Sequence, residues 1–151
     1  AQLGADDPAA AVETLIEAAR IAEGTGDGFA APLYAQAASA ALLAADAEQA
    51  EALADRALVA LGPDEGKQHA AVLIDRAIAR VEQGQTDAAR GDLFQVVRLD
   101  PENVTGWTLL AAAERRAGNG PGAESAIIEA LKLAPEDPDV QAEAKRIALS
   151  N

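Results

Sequence analysis

Hydrophobic positions recur along the chain in a helical rhythm, broken at short intervals by glycine and proline. In residues 104–117, Trp107, Leu110, Ala111 and Ala113 fall on one broad helical face. Gly118-Asn119-Gly120 stops that helix, because glycine accepts the positive φ of a helix end. Pro121 suits the first turn of a second helix, where its missing N–H costs little. That helix carries Ala123, Ala126, Ile127, Ala130 and Leu131 at three- and four-residue spacing, and Pro135 and Pro138 end and restart the pattern. Residues 70–103 read the same way, with Gly84 as the break and Asp100-Pro101 as the end.

The two segments are copies of one unit. Leu73 and Trp107, Ala77 and Ala111, Gly84 and Gly118, and Ala89 and Ala123 are each 34 residues apart. Leu93 and Ile127, Val96 and Ala130, Leu99 and Leu133, and Pro101 and Pro135 keep the same offset. An ordered series of small, large and turn residues at one period is the signature of a repeat array. Upstream the offset becomes 39: Ala50, Ala57 and Leu58 precede Ala89, Val96 and Val97, and Asp7, Ala11 and Ala18 precede Asp46, Ala50 and Ala57. Five-residue insertions near Gly26–Ala30 and Glu65–His69 account for the difference, and their composition predicts surface loops.

The small residues at these matched places have a physical role. Ala111 and Ala123 face each other across the helix pair, where a larger side chain would push the axes apart. Trp107-Thr-Leu-Leu110-Ala111, Gly118, Ala123, Ile127, Ala130 and Pro135 in one unit, with Arg76-Ala77, Gly84, Ala89, Asp92-Leu93 and Leu99-Asp100-Pro101 in the other, resemble the tetratricopeptide repeat family in its bacterial form. The resemblance is strongest over 70–137. It weakens over 31–64, where Ala54 stands in the place of Leu93 and Ile127 and Gly62-Pro63 replaces the closing proline.

The resemblance implies an all-α fold, a solenoid of antiparallel helix pairs wound as a right-handed superhelix. One repeat domain spans 1–151: a partial repeat or capping helix in 1–30, a repeat with insertion in 31–69, repeats in 70–103 and 104–137, and a capping helix in 138–151. Residues 8–23 read either as the second helix of an incomplete unit, with Ala1-Gln2-Leu3-Gly4 ending the missing first helix, or as a simple cap. At the other end, Val140, Ala144 and Ile147 share a face, with Gln141, Glu143, Lys145 and Arg146 on the rest, as a terminal helix with a polar outer side requires.

The family pattern also implies roles for single residues. Arg76 and Asp92 form a salt bridge between the two helices of one unit, and Trp107 packs into the preceding unit. Pro101 and Pro135 close their units. The inner face of the curved stack is assigned to Ala35, Ser39 and Leu42, then Ile74, Ile78 and Val81, then Thr108, Ala112, Arg115 and Arg116, with Arg146 extending the line. The implied groove is apolar in its middle and basic toward its C-terminal end. Its implied occupant is a protein partner's helix or peptide, with Arg115 and Arg116 meeting a carboxylate. Some family members clamp a C-terminal carboxylate with a Lys/Asn set. Here the matching positions hold Ile74, Asp75, Ile78, Thr108, Leu109 and Ala112, so that clamp is missing. The alternatives are a structural spacer within a larger polypeptide and a self-associating module whose groove takes the terminal helix of a second copy.

Composition narrows the chemistry. Half the residues are hydrophobic and aromatics are 3%, so the core is built mainly from Ala, Leu, Val and Ile. Such a composition favours helix over strand. Twelve Lys and Arg against 25 Asp and Glu give a net charge of −13, which repels nucleic-acid phosphates and anionic headgroups. No apolar run reaches membrane-spanning length. With no cysteine and His69 as the one histidine, thiolate catalysis and a cysteine or paired-histidine zinc site are excluded. His69 reads as an ordinary loop residue. Gly24-Thr-Gly-Asp-Gly28 lacks the Lys-Ser/Thr of a phosphate loop, and Asp100, Glu102 and Asn103 lack the alternating ligands of a calcium loop. Asp46, Asp87, Asp139 and the cluster Glu136-Asp137-Asp139 read as helix-start acids. No carboxylate pair stands out, so the expectation is a non-enzymatic protein without metal or cofactor. The absence of cysteine and an Ala1-Gln2 start, of the kind left by leader removal, lean toward an exported or periplasmic setting, with a cytoplasmic one as the alternative.

Overall fold

The computed structural model describes residues 7–63 and 66–150. The expectation placed on Ala1-Gln2-Leu3-Gly4 lies outside these residues. Among the described residues there are eight helices and no strand: α1 (Pro8–Thr25), α2 (Ala30–Leu43), α3 (Ala47–Leu61), α4 (Gly66–Glu82), α5 (Thr86–Leu99), α6 (Val104–Arg116), α7 (Gly120–Leu133) and α8 (Pro138–Ser150). Each helix packs on the next, and α2 also touches α4 while α6 touches α8. The pairs α2–α3, α4–α5 and α6–α7 thus stack as an all-α solenoid, with α8 laid against the last pair.

The turn inside each pair is the same object three times. Around Ala45, Gly84 and Gly118, three consecutive N–H groups bond back to carbonyls in the last turn of the preceding helix, and the central residue has φ of 57°, 76° and 77°. This closure satisfies the helix-end carbonyls and needs a left-handed residue. Glycine supplies it twice; at the first turn alanine is held there. Short polar side chains open the helices. Asp46 accepts from Gln49 N–H, Asn103 from Gly106 N–H, and Asn119 from Gly122 N–H.

Two expected caps fall elsewhere. Asp87 lies inside the first turn of α5 and pairs with Arg90. Asp139 gives its backbone N–H to Asp137, and it is Asp137 that caps α8 by also accepting from Val140 N–H. The second insertion is also not a loop where it was expected. Gly62 (φ 75°) and Pro63 end α3, but α4 already starts at Gly66, so His69 sits in a helix. Once a helix is nucleated, each added residue gains a backbone bond, and Lys67 and Gln68 extend α4 backwards by a turn.

The core is mostly alanine. Ala77, Ala89, Ala111, Ala123, Ala126 and Ala130 are all buried in one cluster with Leu93, Leu110, Ile127, Val140 and Ile147. Trp107 packs on this cluster half-buried, and its indole N–H donates to the Pro101 carbonyl at 2.8 Å. In the first unit the small Ala54 is compensated by Tyr34, which is fully buried and takes a 2.9 Å bond from Arg56. Burial, with Glu23 alongside, pushes the Tyr34 hydroxyl pKa upward.

Ion pairs tie the pairs together. The Arg76–Asp92 bridge between α4 and α5 is present, at 2.6 and 3.1 Å. Asp92 is only 5% exposed and also accepts from Arg80 at 2.7 Å. Asp55 and Glu51 on α3 meet Arg76 and Arg80 from the other side, at 2.7 and 2.9 Å. One buried carboxylate is thereby the hub of a chain of charges across three helices. At the next junction Arg90 on α5 makes a two-pronged bridge, 3.0 Å on both arms, to Glu114 on α6, which is 1% exposed. Arg90 is 39 residues after Glu51, and Glu114 is 34 after Arg80. The same two places carry the same bridge with its polarity reversed.

Candidate partner-binding groove

Helices α4 and α6, the first of their pairs, and α8 enclose an open cavity of about 440 Å³. On α4, Ile78 and Val81 sit three residues apart on one face. On α6, Thr108, Leu109 and Ala112 do the same, as helical spacing requires. Ala77, Leu93 and Ala113, all buried, lie beneath them. The wall chemistry is apolar below and charged at the rim.

The structure gathers six of the residues assigned from the repeat pattern: Ile78, Val81, Thr108, Ala112, Arg116 and Arg146 line this cavity. The others lie outside it. Ser39 is exposed on α2 and donates a 2.5 Å hydrogen bond to Asp75. Leu42 packs on the N-terminal core, and Ile74 on a small cluster of Ala70, Leu73 and Val96. Arg115 is committed internally, at 2.6 Å from Glu143 on α8.

Glu143 is itself a correction. It was set on the polar side of the last helix, yet it is 3% exposed. Position 143 adjoins the stripe of Val140, Ala144 and Ile147, so docking of α8 buries it, and Arg115 and Arg146 neutralise it. The groove is also not simply basic at its C-terminal end. Beside Arg116 and Arg146 stand Glu82 from α4 and Asp137, Asp139 and Glu143 from α8. The acidic start of α8, folded back against α6, brings these groups in. The 34-residue offset linking Glu82 to Arg116 and Leu109 to Glu143 was available in the sequence to find them.

One turn before Ile78 on α4 is Asp75, half-buried, whose carboxylate accepts a hydrogen bond from the Ser39 hydroxyl. Burial raises its pKa above the ordinary aspartate value, and the Ser39 bond offsets that only in part. No cluster of carboxylates or histidine suited to a metal ion occurs among the described residues, and no described helix is long and apolar enough to cross a membrane.

Residues 80–146, which span α5 to α7, the end of α4 and most of α8, match the family model described as tetratricopeptide repeat. Over that segment the chain carries tetratricopeptide repeats. Among solved structures, this repeat protein is similar to the TPR domain of OM64 from Arabidopsis, with a TM-score of 0.74 at 18% identity over 82% of this chain and 98% of that one. It is similar to the Hsp90 co-chaperone Cns1 from Saccharomyces cerevisiae, with a TM-score of 0.73 at 17% identity over 79% of this chain and 38% of that one. A tetratricopeptide repeat protein from Parabacteroides merdae gives a TM-score of 0.70 at 15% identity, covering 93% of this chain and 60% of that one. The chain therefore spans the whole of the plant domain but only part of the other two. At these identities the likeness is one of fold. Comparison with curated protein sequences returns no match.

Proposed function

We propose that this repeat protein is a non-enzymatic scaffold that holds a peptide or helix of a partner protein in the groove between α4, α6 and α8. The observation that carries the reading is the open cavity itself. A stacked core has no need of a 440 Å³ cleft with Ile78, Val81, Thr108 and Ala112 along its walls. Apolar clefts with a few charged groups at the rim suit an amphipathic segment. The similarity to a co-chaperone and to a plant TPR domain supports a role in protein contacts. Arg116, not Arg115, is the arginine open to a partner's acidic group, because Arg115 holds Glu143.

The test is selection of peptides from a random display library, followed by affinity measurement with two variants. Ala112→Glu places a charge within the cavity, and Ile128→Glu places one on the opposite, outer surface, where Ile128 is 49% exposed. Selected peptides should lose about tenfold or more in affinity for Ala112→Glu, roughly the effect of one unpaired buried charge. They should keep their affinity for Ile128→Glu. The reverse outcome, or indifference to both, sinks the groove.

A further inference from the structure

The rim of the groove holds charges that the fold leaves unused. Glu82, Arg116 and the Asp139 carboxylate line the cavity, and none is in an ion pair among the described residues. Every other arginine of α4 and α6 is paired: Arg76, Arg80 and Arg115 are held by Asp92, Glu51 and Glu143. Arg116 is thus the exception on its helix, although it lies on the same cavity as Glu82.

The repeat register makes the arrangement regular. Asp75, Ile78 and Glu82 on α4 follow helical spacing along one face. Leu109, Ala112 and Arg116 on α6 stand 34 residues after each of them. On that face of α4, Ile78 and Glu82 line the cavity, while Asp75, one turn before, lies outside it and is bonded to Ser39. The facing wall carries a cation at its end and apolar residues before it. Unlike charges set on opposite walls with an apolar strip between them can each be satisfied by an inserted side chain of the complementary sign.

Resting on the groove reading above, we propose that the occupant is a peptide segment with an apolar centre that sets lysine or arginine against Glu82 of α4 and an aspartate or glutamate against Arg116 of α6. This partner is recognised by a two-signed charge pattern, and not by a lone basic anchor. The net charge of −13 adds a long-range pull on the basic part of such a segment.

The experiment uses the full chain and a synthetic helical peptide of about 15 residues, long enough to span about 22 Å. The peptide carries a leucine–alanine stripe with arginine on one flank and glutamate on the other, and binding is read by fluorescence anisotropy. Glu82→Gln and Arg116→Gln, with Asp75→Asn as a control outside the cavity, are combined in double-mutant cycles with peptides in which either arginine or glutamate is replaced by glutamine. All three positions are at or near the surface, and far-UV circular dichroism verifies that the variants remain folded. Matched pairs (peptide arginine with Glu82, peptide glutamate with Arg116) should couple by about threefold or more, and mismatched pairs, or pairs with Asp75, by less than about twofold. Equal coupling of matched and mismatched pairs, with wild-type binding retained and lost in Ala112→Glu, overturns the charge pattern but leaves the groove. Absence of binding by any of these peptides overturns both. Self-association at assay concentration that excludes the peptide, seen by light scattering, assigns the groove to a second copy and also overturns the proposal.

Discussion

Removing Arg76 or Arg80 alone should cost little, and removing both should cost far more than the sum. Asp92 is 5% exposed and accepts three bonds, two from Arg76 and one from Arg80. In Arg76→Met the carboxylate keeps Arg80, and the abandoned Asp55, 53% exposed, simply hydrates. In Arg80→Met it keeps the two-pronged Arg76, while Glu51 retains Gln83 and Gln85 at 2.7 and 3.2 Å. Arg76→Met forfeits three charge-assisted bonds and Arg80→Met two, but in each case the carboxylates left behind keep a partner or hydrate, so the net cost is about 1–2 kcal/mol. The double variant strands a buried carboxylate with no cation, for which about 3–5 kcal/mol is typical, on top of the lost bonds. The double should therefore exceed the summed singles by about 3 kcal/mol, the upper end of coupling between neighbouring residues. Replacing the hub as well, in Arg76→Met/Arg80→Met/Asp92→Leu, removes the stranded charge and should recover most of that excess, because apolar substitution of a whole buried network is nearly neutral. Urea unfolding followed at 222 nm measures all four variants against the parent. In a chain of this size each kcal/mol also moves the melting temperature by about 2–4 °C. Singles that add to within about 0.5 kcal/mol, or a triple variant no better than the double, would refute the view of Asp92 as a hub.

Three further outcomes follow from single contacts. Ala45→Gly should stabilise the chain by about 0.5–1 kcal/mol in urea titration, since Ala45 holds φ 57° where the two later turns have glycine. No gain would mean that the alanine turn is not strained. Gly106→Ala should destabilise by about 1–2 kcal/mol, because a Cβ there would lie 2.6 Å from Val96 Cγ1, and the loss should vanish in a Val96→Ala background. Asp75→Asn should raise the urea midpoint at pH 7. The folded pKa of Asp75 is raised, so the stability tied to this group is fully present only below the unfolded value and is lost as pH rises through the folded value. The advantage of the amide should therefore shrink as pH falls through the carboxylate range, and a pH-independent difference would count against it.

The amino-acid sequence alone carried the repeat and much of its framework. The 34-residue offset located the helix pairs, the glycine turns at Gly84 and Gly118, and the alanines at each helix contact, since all of these depend on local period and residue size. The Arg76–Asp92 bridge was legible because both partners belong to one unit. What joins one unit to another was not. Glu51–Arg80 and Arg90–Glu114 occupy matching places with opposite charges, so a search for like residues passes over them. Glu114 and Glu143 are ordinary helix-surface glutamates until a neighbouring helix covers them. The groove divides in the same way. Ile78, Val81, Thr108, Ala112, Arg116 and Arg146 were implied by the family resemblance, whereas Asp137 and Asp139 reached it only through the packing of α8 against α6. Local periodicity determines which face of a helix turns inward. Which charges are then neutralised and which stay open depends on what lies across from that face, and that was decided only when the helices stacked.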